Sequence, residues 1–305
     1  MNGERSFLRV AAVSRIIGVA LGMGLAGLSL TTSDAAAEPG VTVNLRAAAA
    51  WIQLDGSLLG FPEVEWAQGG ADLNGDGDAQ DVVLHLWDAS TGGTRNLGLA
   101  IDGFRLQGRW VALEVREDAQ SSSDLNGDGD AGDFILHVFD NATGTIANIG
   151  LDVAAFFVEQ QGDTLAFPVI EAFQGRTDLN GDGDLFDDVL HLFDAATGIT
   201  TNLGVPTWRH PDQIQFRTNA LAVGVPEITN ADFNSDGDRD DLVLHLVDPD
   251  TGAATNLGLA TGAFQLGPQW LAFIVAEGFQ ARTDLNGMEI HSIRFSTCWI
   301  ARRTP

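Results

Sequence analysis

The chain has 305 residues, 45% of them hydrophobic, with 42 Asp and Glu against 16 basic residues, all Arg, for a formal charge of −26. That balance excludes a nucleic-acid partner, because a phosphate backbone requires a basic footprint. The apolar content excludes disorder, and a single cysteine, Cys298, excludes an intrachain disulfide.

Residues 1–37 read as a signal peptide. Arg5, Arg9 and Arg15 make a positive start, residues 16–30 an apolar core, and Ala35, Ala36 and Ala37 a small-residue cleavage site. The core is shorter than the roughly 20 residues of a membrane span. The mature chain is therefore expected to begin near Glu38, to be secreted (extracellular or periplasmic), and to carry no membrane span. An exported chain without disulfides needs another staple, and bound metal is the expected one.

Residues 38–287 form a repeat. DLNGDGD begins at Asp72, Asp124 and Asp178, returns as DFNSDGD at Asp232, and starts again as DLNG at Asp284; the starts are 52, 54, 54 and 52 residues apart. Each complete copy leads into a β-rich run: VVLHLWD from Val82, FILHVFD from Phe134, DVLHLFD from Asp188, LVLHLVD from Leu242. A Thr-Gly turn follows, then a short run ending in Asn-Leu-Gly or Asn-Ile-Gly. A further hairpin, such as FRLQGRWVALEVRE from Phe104, precedes each acidic loop. Short β-branched and aromatic runs between Gly, Asp and Asn turns predict strands, four per repeat, here called a, b, c and d.

Four antiparallel strands about every 50 residues suit the blades of a β-propeller, which leaves few open edges. With Leu-Ala-Phe in strand b (165–167, 271–273) and a turn-forming Asp after strand c, the repeat resembles TolB-like and WD40-like propellers over about residues 42–287. The Trp-Asp dipeptide occurs once, as Trp87-Asp88, and the serine-proline-aspartate turn of the TolB type is missing. An open solenoid or a stacked sandwich is the alternative. The segment VTVNLRAAAAWIQL from Val41 aligns with GTRNLGLAIDGFRL from Gly93, so it predicts a lone strand d. Paired with a fifth strand c, it would close a five-bladed ring whose last blade is incomplete.

Residues 288–305 break the repeat. Shifted by one base, with mostly G/C third positions, they back-translate to DGDPFDPVLHVLD, against DGDAQDVVLHLWD at 76–88. Three of those residues are forced whatever the codons: Gly, Leu and Asp. The tail is expected to be a frameshift, and Cys298, Arg302 and Arg303 to carry no function.

The acidic loops hold the chemistry. Oxygen-bearing side chains fall at loop positions 1, 3, 5, 7 and 10: Asp72, Asn74, Asp76, Asp78, Asp81; Asp124, Asn126, Asp128, Asp130, Asp133; Asp178, Asn180, Asp182, Asp184, Asp187; and Asp232, Asn234, Asp236, Asp238, Asp241. An all-oxygen set with a Gly at position 6 suits Ca²⁺. Mg²⁺ is stricter in geometry, and no His or Cys joins the set for zinc or copper. The first six positions resemble EF-hand and dockerin loops. Position 12 departs from them, being Val83, Ile135, Val189 and Val243, and a strand follows where a helix would be needed. The resemblance is nearer to the DxDxDG hairpin loops of integrin-α propellers and thrombospondin repeats, and it implies calcium. A Glu closing each strand b (Glu65, Glu117, Glu171, Glu227, Glu277) is either a further ligand or a surface salt-bridge partner.

No catalytic set stands out. His85, His137, His191 and His245 recur at strand centres, which predicts packed structural residues, and Asp88, Asp140, Asp194 and Asp248 are expected to cap the Thr-Gly turns. Symmetry breaks at residues 205–213, where Trp208, Arg209 and His210 form a candidate ligand-binding loop. The expected function is a monomeric, non-catalytic, calcium-stabilised scaffold for binding or surface attachment, with a polysaccharide or another surface protein as partner. The alternative is a secreted calcium-dependent hydrolase or lyase.

Overall fold

A computed structural model describes residues 29–31, 42–153, 157–207, 213–218, 220–227, 231–276, 279–280 and 296–302. All described strand pairings are antiparallel, and a 3-10 turn covers Glu65–Gln68. The all-β expectation is met. No helix among the described residues is long and apolar enough to cross a membrane.

Contacts divide the chain into two compact units, residues 1–102 with 119–121, and residues 103–118 with 122–305. In the first, β1 (Ser29–Thr31) pairs with β2 (Thr42–Asn44), and β3 (Gln53–Asp55), β4 (Leu58–Val64), β5 (Val82–Asp88) and the first part of β6 (Gly93–Gln107) form an up-and-down meander. The second contains the same meander repeatedly: β7 (Trp110–Arg116), β8 (Phe134–Asp140) and β9 (Thr145–Asp152); then β10 (Glu159–Gln161), β11 (Thr164–Ile170), β12 (Asp188–Asp194) and β13 (Ile199–Thr207). The next is β14 (Ile214–Arg217), β15 (Ala220–Pro226), β16 (Leu242–Val247) and β17 (Ala254–Leu266), continued by β18 (Trp270–Ala276) and β19 (Ser296–Arg302). In β6 and β17, strand d of one repeat runs unbroken into strand a of the next.

The burial of each strand follows its composition. Strands b and c are near-continuous apolar runs and are buried along most of their length, whereas the polar first halves of strands d, in β9 and β13, are exposed. In the second unit successive sheets stack through those central strands. Ala112, Leu136 and Val138 meet Leu165, Phe167 and Val169; Ala166, Leu190 and Leu192 meet Leu221, Val223 and Val247.

One expectation is corrected. Thr42–Asn44, predicted to complete a fifth blade, is paired with Ser29–Thr31 within the expected signal peptide. Processing after residue 37 would remove that partner. The anomalous tail forms strand β19, aligned on β18 with Trp270 opposite Arg302. Arg302 thus stands where Asp140 and Asp194 stand opposite Trp110 and Thr164.

Candidate metal centres

Each acidic loop lies in the hairpin between strands b and c, and its sharp path is set by positive-φ residues. Gly75 and Gly77 have φ of 82° and 107°, and the fourth loop places Ser235 at 61° and Gly237 at 98°. Side-chain oxygens hold these turns. In the first loop the Asp72 carboxylate accepts bonds from the Gly75 and Gly77 amides at 2.6 and 3.1 Å, Asn74 Oδ1 accepts from the Asp76 amide, and Asp76 Oδ1 from the Asp78 amide. Asp124 and Asp178 act as Asp72 does, and Asp232 accepts from the Asp236 and Gly237 amides. Positions 1, 3 and 5 therefore use part of their oxygen capacity on the loop's own backbone.

Position 7, position 10 and the strand-b glutamate are brought together. Glu65 with Asp78 and Asp81, Glu117 with Asp130 and Asp133, Glu171 with Asp184 and Asp187, and Glu227 with Asp238 and Asp241 each offer carboxylate oxygens within 4.8 Å of one another. The surface salt-bridge alternative for the glutamate fails, because Glu65, Glu117, Glu171 and Glu227 are all 0% exposed. Each instead spans its loop: one Glu171 oxygen accepts from the Leu179 amide at 2.7 Å, the other from the Asp187 amide at 3.4 Å. Glu65, Glu117 and Glu227 likewise accept from Leu73, Leu125 and Phe233. Glu277 and the partial loop at 284–287 lie outside the described residues.

The electrostatics of these clusters are unfavourable as they stand. Burial pushes the Asp81 and Asp133 carboxyls up to about 6, and the negative charges of Asp76 and Asp128 add to it, against a lowering bond from Asn74 and Asn126. Asp187 and Asp241 are pushed up to about 7 by the same causes. In the fourth loop Glu227 Oε2 and Asp241 Oδ1 are buried with no hydrogen-bond partner among the described residues, on residues 0% and 6% exposed. An unpartnered buried carboxylate oxygen is costly, and a divalent cation relieves both that and the mutual repulsion. Hard carboxylate and amide oxygens with no His or Cys fit Ca²⁺.

Two recurrent amide side chains complete the surroundings, and the sequence reading assigned neither. Asn96, Asn148, Asn202 and Asn256, in strands d, each donate to the backbone carbonyl of loop position 2 at 2.7–2.8 Å. The same side chains accept from Gly98, Gly150, Gly204 and Gly258 at a bulge, where φ is 62–70°. Asn44 and Arg46 repeat that turn, with Arg46 at φ 57°, in keeping with their alignment to strand d. The second set lies three residues after the glutamate. Gln68, Gln120, Gln174 and Gln280 grip the backbone of the preceding strand-d segment, donating to a carbonyl and accepting from an amide: Gln120 with Gly98 and Ala100, Gln174 with Gly150 and Asp152. The recurring E-x-x-Q spacing was the available signal.

Of the remaining candidates, the strand-c histidines are packed as expected. His85, His137, His191 and His245 are buried, each with Nδ1 bonded to the carbonyl two residues before it, and burial lowers His137, His191 and His245. Asp88, Asp140, Asp194 and Asp248 cap the Thr-Gly turns. Trp208, Arg209 and His210 lie outside the described residues.

No protein-family model matches the chain, and no curated protein matches it in sequence. Solved structures do match in shape. The β-propeller domain of the Trilobed protease from Pyrococcus furiosus, which has an open velcro topology, is similar at TM-score 0.46 and 10% identity, over 83% of this chain and 69% of that one. Pyrococcus horikoshii acylaminoacyl peptidase is similar at TM-score 0.44 and 11% identity over 74% of this chain, which spans 35% of the peptidase's length. BamB from Moraxella catarrhalis is similar at TM-score 0.33 and 15% identity over 73% of this chain, which spans 53% of BamB.

Proposed function

We propose that this chain is a secreted, calcium-stapled β-propeller serving as a non-catalytic scaffold for binding or surface attachment. The observation that carries the metal reading is the fourfold recurrence of a buried Glu beside two Asp within 4.8 Å, two of whose buried oxygens lack partners in the fourth loop. Glu65, Asp78 and Asp81 and their equivalents hold the ion, with Asp72, Asn74 and Asp76 supplying further oxygens of the same loop. Calcium contributes charge neutralisation there. The chain's own residues fix the loop backbone and bury the cluster's floor. Because the carboxylates repel one another without metal, binding becomes folding free energy.

Calorimetric titration of the mature protein tests this. Uptake by four loops is expected, with dissociation constants of about 10⁻⁴–10⁻³ M, as in extracellular modules, and with preference over magnesium. No uptake at millimolar calcium ends the proposal. The partner class follows from charge: an anionic polymer, such as an acidic polysaccharide, is held through bound calcium rather than by the sparse arginines. Retention on such a polymer in calcium and release in chelator is the expected result, and Trp208→Ala tests whether the 205–213 loop contributes.

A further inference from the structure

We infer that neighbouring metal loops are energetically coupled, and that the turn carrying the E-x-x-Q residues is the coupling element; this rests on the calcium reading above. The second and third loops, both in the second unit, show the connection. The turn beginning at Glu171 is rigid, since the Phe173 and Gln174 amides both donate to the Ile170 carbonyl at 3.2 and 2.9 Å. On one side Glu171 clamps the third loop at Leu179, Asn180 and Asp187.

On the other side the same turn is tied to the second loop twice. The Gly175 amide donates to Asp128 Oδ2 at 3.0 Å, so a position-5 carboxylate of one loop holds the turn that serves the next. The approach is close: a Cβ on Gly175, at φ 58°, would sit 3.3 Å from Asp128 Cβ. The second tie runs through Gln174, whose Oε1 accepts the Asp152 amide at 2.8 Å. The Asp152 side chain in turn accepts the Phe134 amide at 3.1 Å, directly after the position-10 Asp133. An ion in the second loop fixes Asp128 and Asp133, hence both ties, hence the placement of Glu171 over the third loop. By linkage the reverse holds equally.

Calcium-dependent hydrogen exchange of the mature chain reads each loop separately, because the Leu179, Asn180 and Asp187 amides report on the third. Asp124→Asn weakens the second loop without touching Gly175 or Gln174. It is expected to raise the calcium midpoint for protection of residues 178–188 at least about fivefold, the lower end for coupled sites. Gln174→Met removes the clasp while leaving every loop carboxylate in place. It should separate the midpoints of the two loops and lower the cooperativity to what the Gly175–Asp128 tie alone carries. An unchanged midpoint at 178–188 in Asp124→Asn overturns the coupling, and unchanged cooperativity in Gln174→Met overturns the clasp's part in it, both leaving calcium binding intact. Absence of calcium-dependent protection in every wild-type loop overturns the calcium reading itself, and the coupling with it.

Discussion

The two ends of strand β8 carry aspartates in opposite circumstances. At its far end Asp140 is held by the Arg109 guanidinium in a two-point ion pair at 2.7 and 2.6 Å, by the Thr143 hydroxyl and by the Ala142 amide. Those partners, Arg109 first, keep its carboxyl well below the ordinary carboxylate range. Before the near end Asp133 is 6% exposed, faces Asp128, Asp130 and Glu117, and is pushed up to about 6. One carboxylate has its counter-charge within the protein. The other faces only like charges among the described residues, and that is where the proposed cation would sit.

The largest expected effect breaks that comparison directly. Saturating calcium should stabilise the protein by about 2.7 kcal/mol per site at a hundred times the dissociation constant, and chelation should remove it; paired thermal melts measure this. A melting temperature indifferent to chelator would mean that Asp133 needs no cation.

Neutralising each aspartate in turn should give opposite signs in chelator. Asp140→Asn should destabilise by about 1.5–3 kcal/mol, the scale of hydrogen bonds to charged groups, with or without calcium. Asp133→Asn should be neutral or stabilising in chelator, since it removes a buried like charge, yet should lose the calcium gain at its loop. Denaturant unfolding of both variants in both conditions distinguishes them, and destabilisation by Asp133→Asn in chelator would contradict the electrostatic account.

The pH dependence sharpens the contrast. Asp133 keeps its proton in the folded chain up to about pH 6, and Asp187 and Asp241 up to about 7, whereas the unfolded chain releases them near 4. Metal-free stability from these groups is therefore full below about pH 4 and falls as pH rises to about 7. Asp140, held low, contributes stability that is present above about pH 4 and lost below it. Calcium competes with the protons, so its stabilisation should grow from pH 5 to 7. Melts at stepped pH, with calcium and with chelator, should converge at acid pH and diverge at neutral pH.

The smallest effect compares the fourth loop with the others. Ser235 occupies the left-handed position that Gly75, Gly127 and Gly181 fill elsewhere, at a cost of about 1–2 kcal/mol for a side chain. Ser235→Gly should recover most of that and tighten calcium most at the fourth loop, as loop-resolved exchange would read.

The sequence by itself determined the repeat period, the strand content and the placement of carboxylates, because apolar runs, turn residues and acidic spacing are local patterns. The strand-b glutamates were visible as a recurrence, but not their burial: a Glu becomes 0% exposed only when a neighbouring loop folds over it. Nor could Gln174 or Asn148 be assigned, since their amides bond to backbone atoms 22–24 residues away, and a backbone carbonyl leaves no trace in residue type. The pairing of Thr42–Asn44 was likewise a tertiary choice. Any free strand edge satisfies its hydrogen bonds, so the alignment with strand d predicted a strand there, while the choice of edge depends on which partner strand is present.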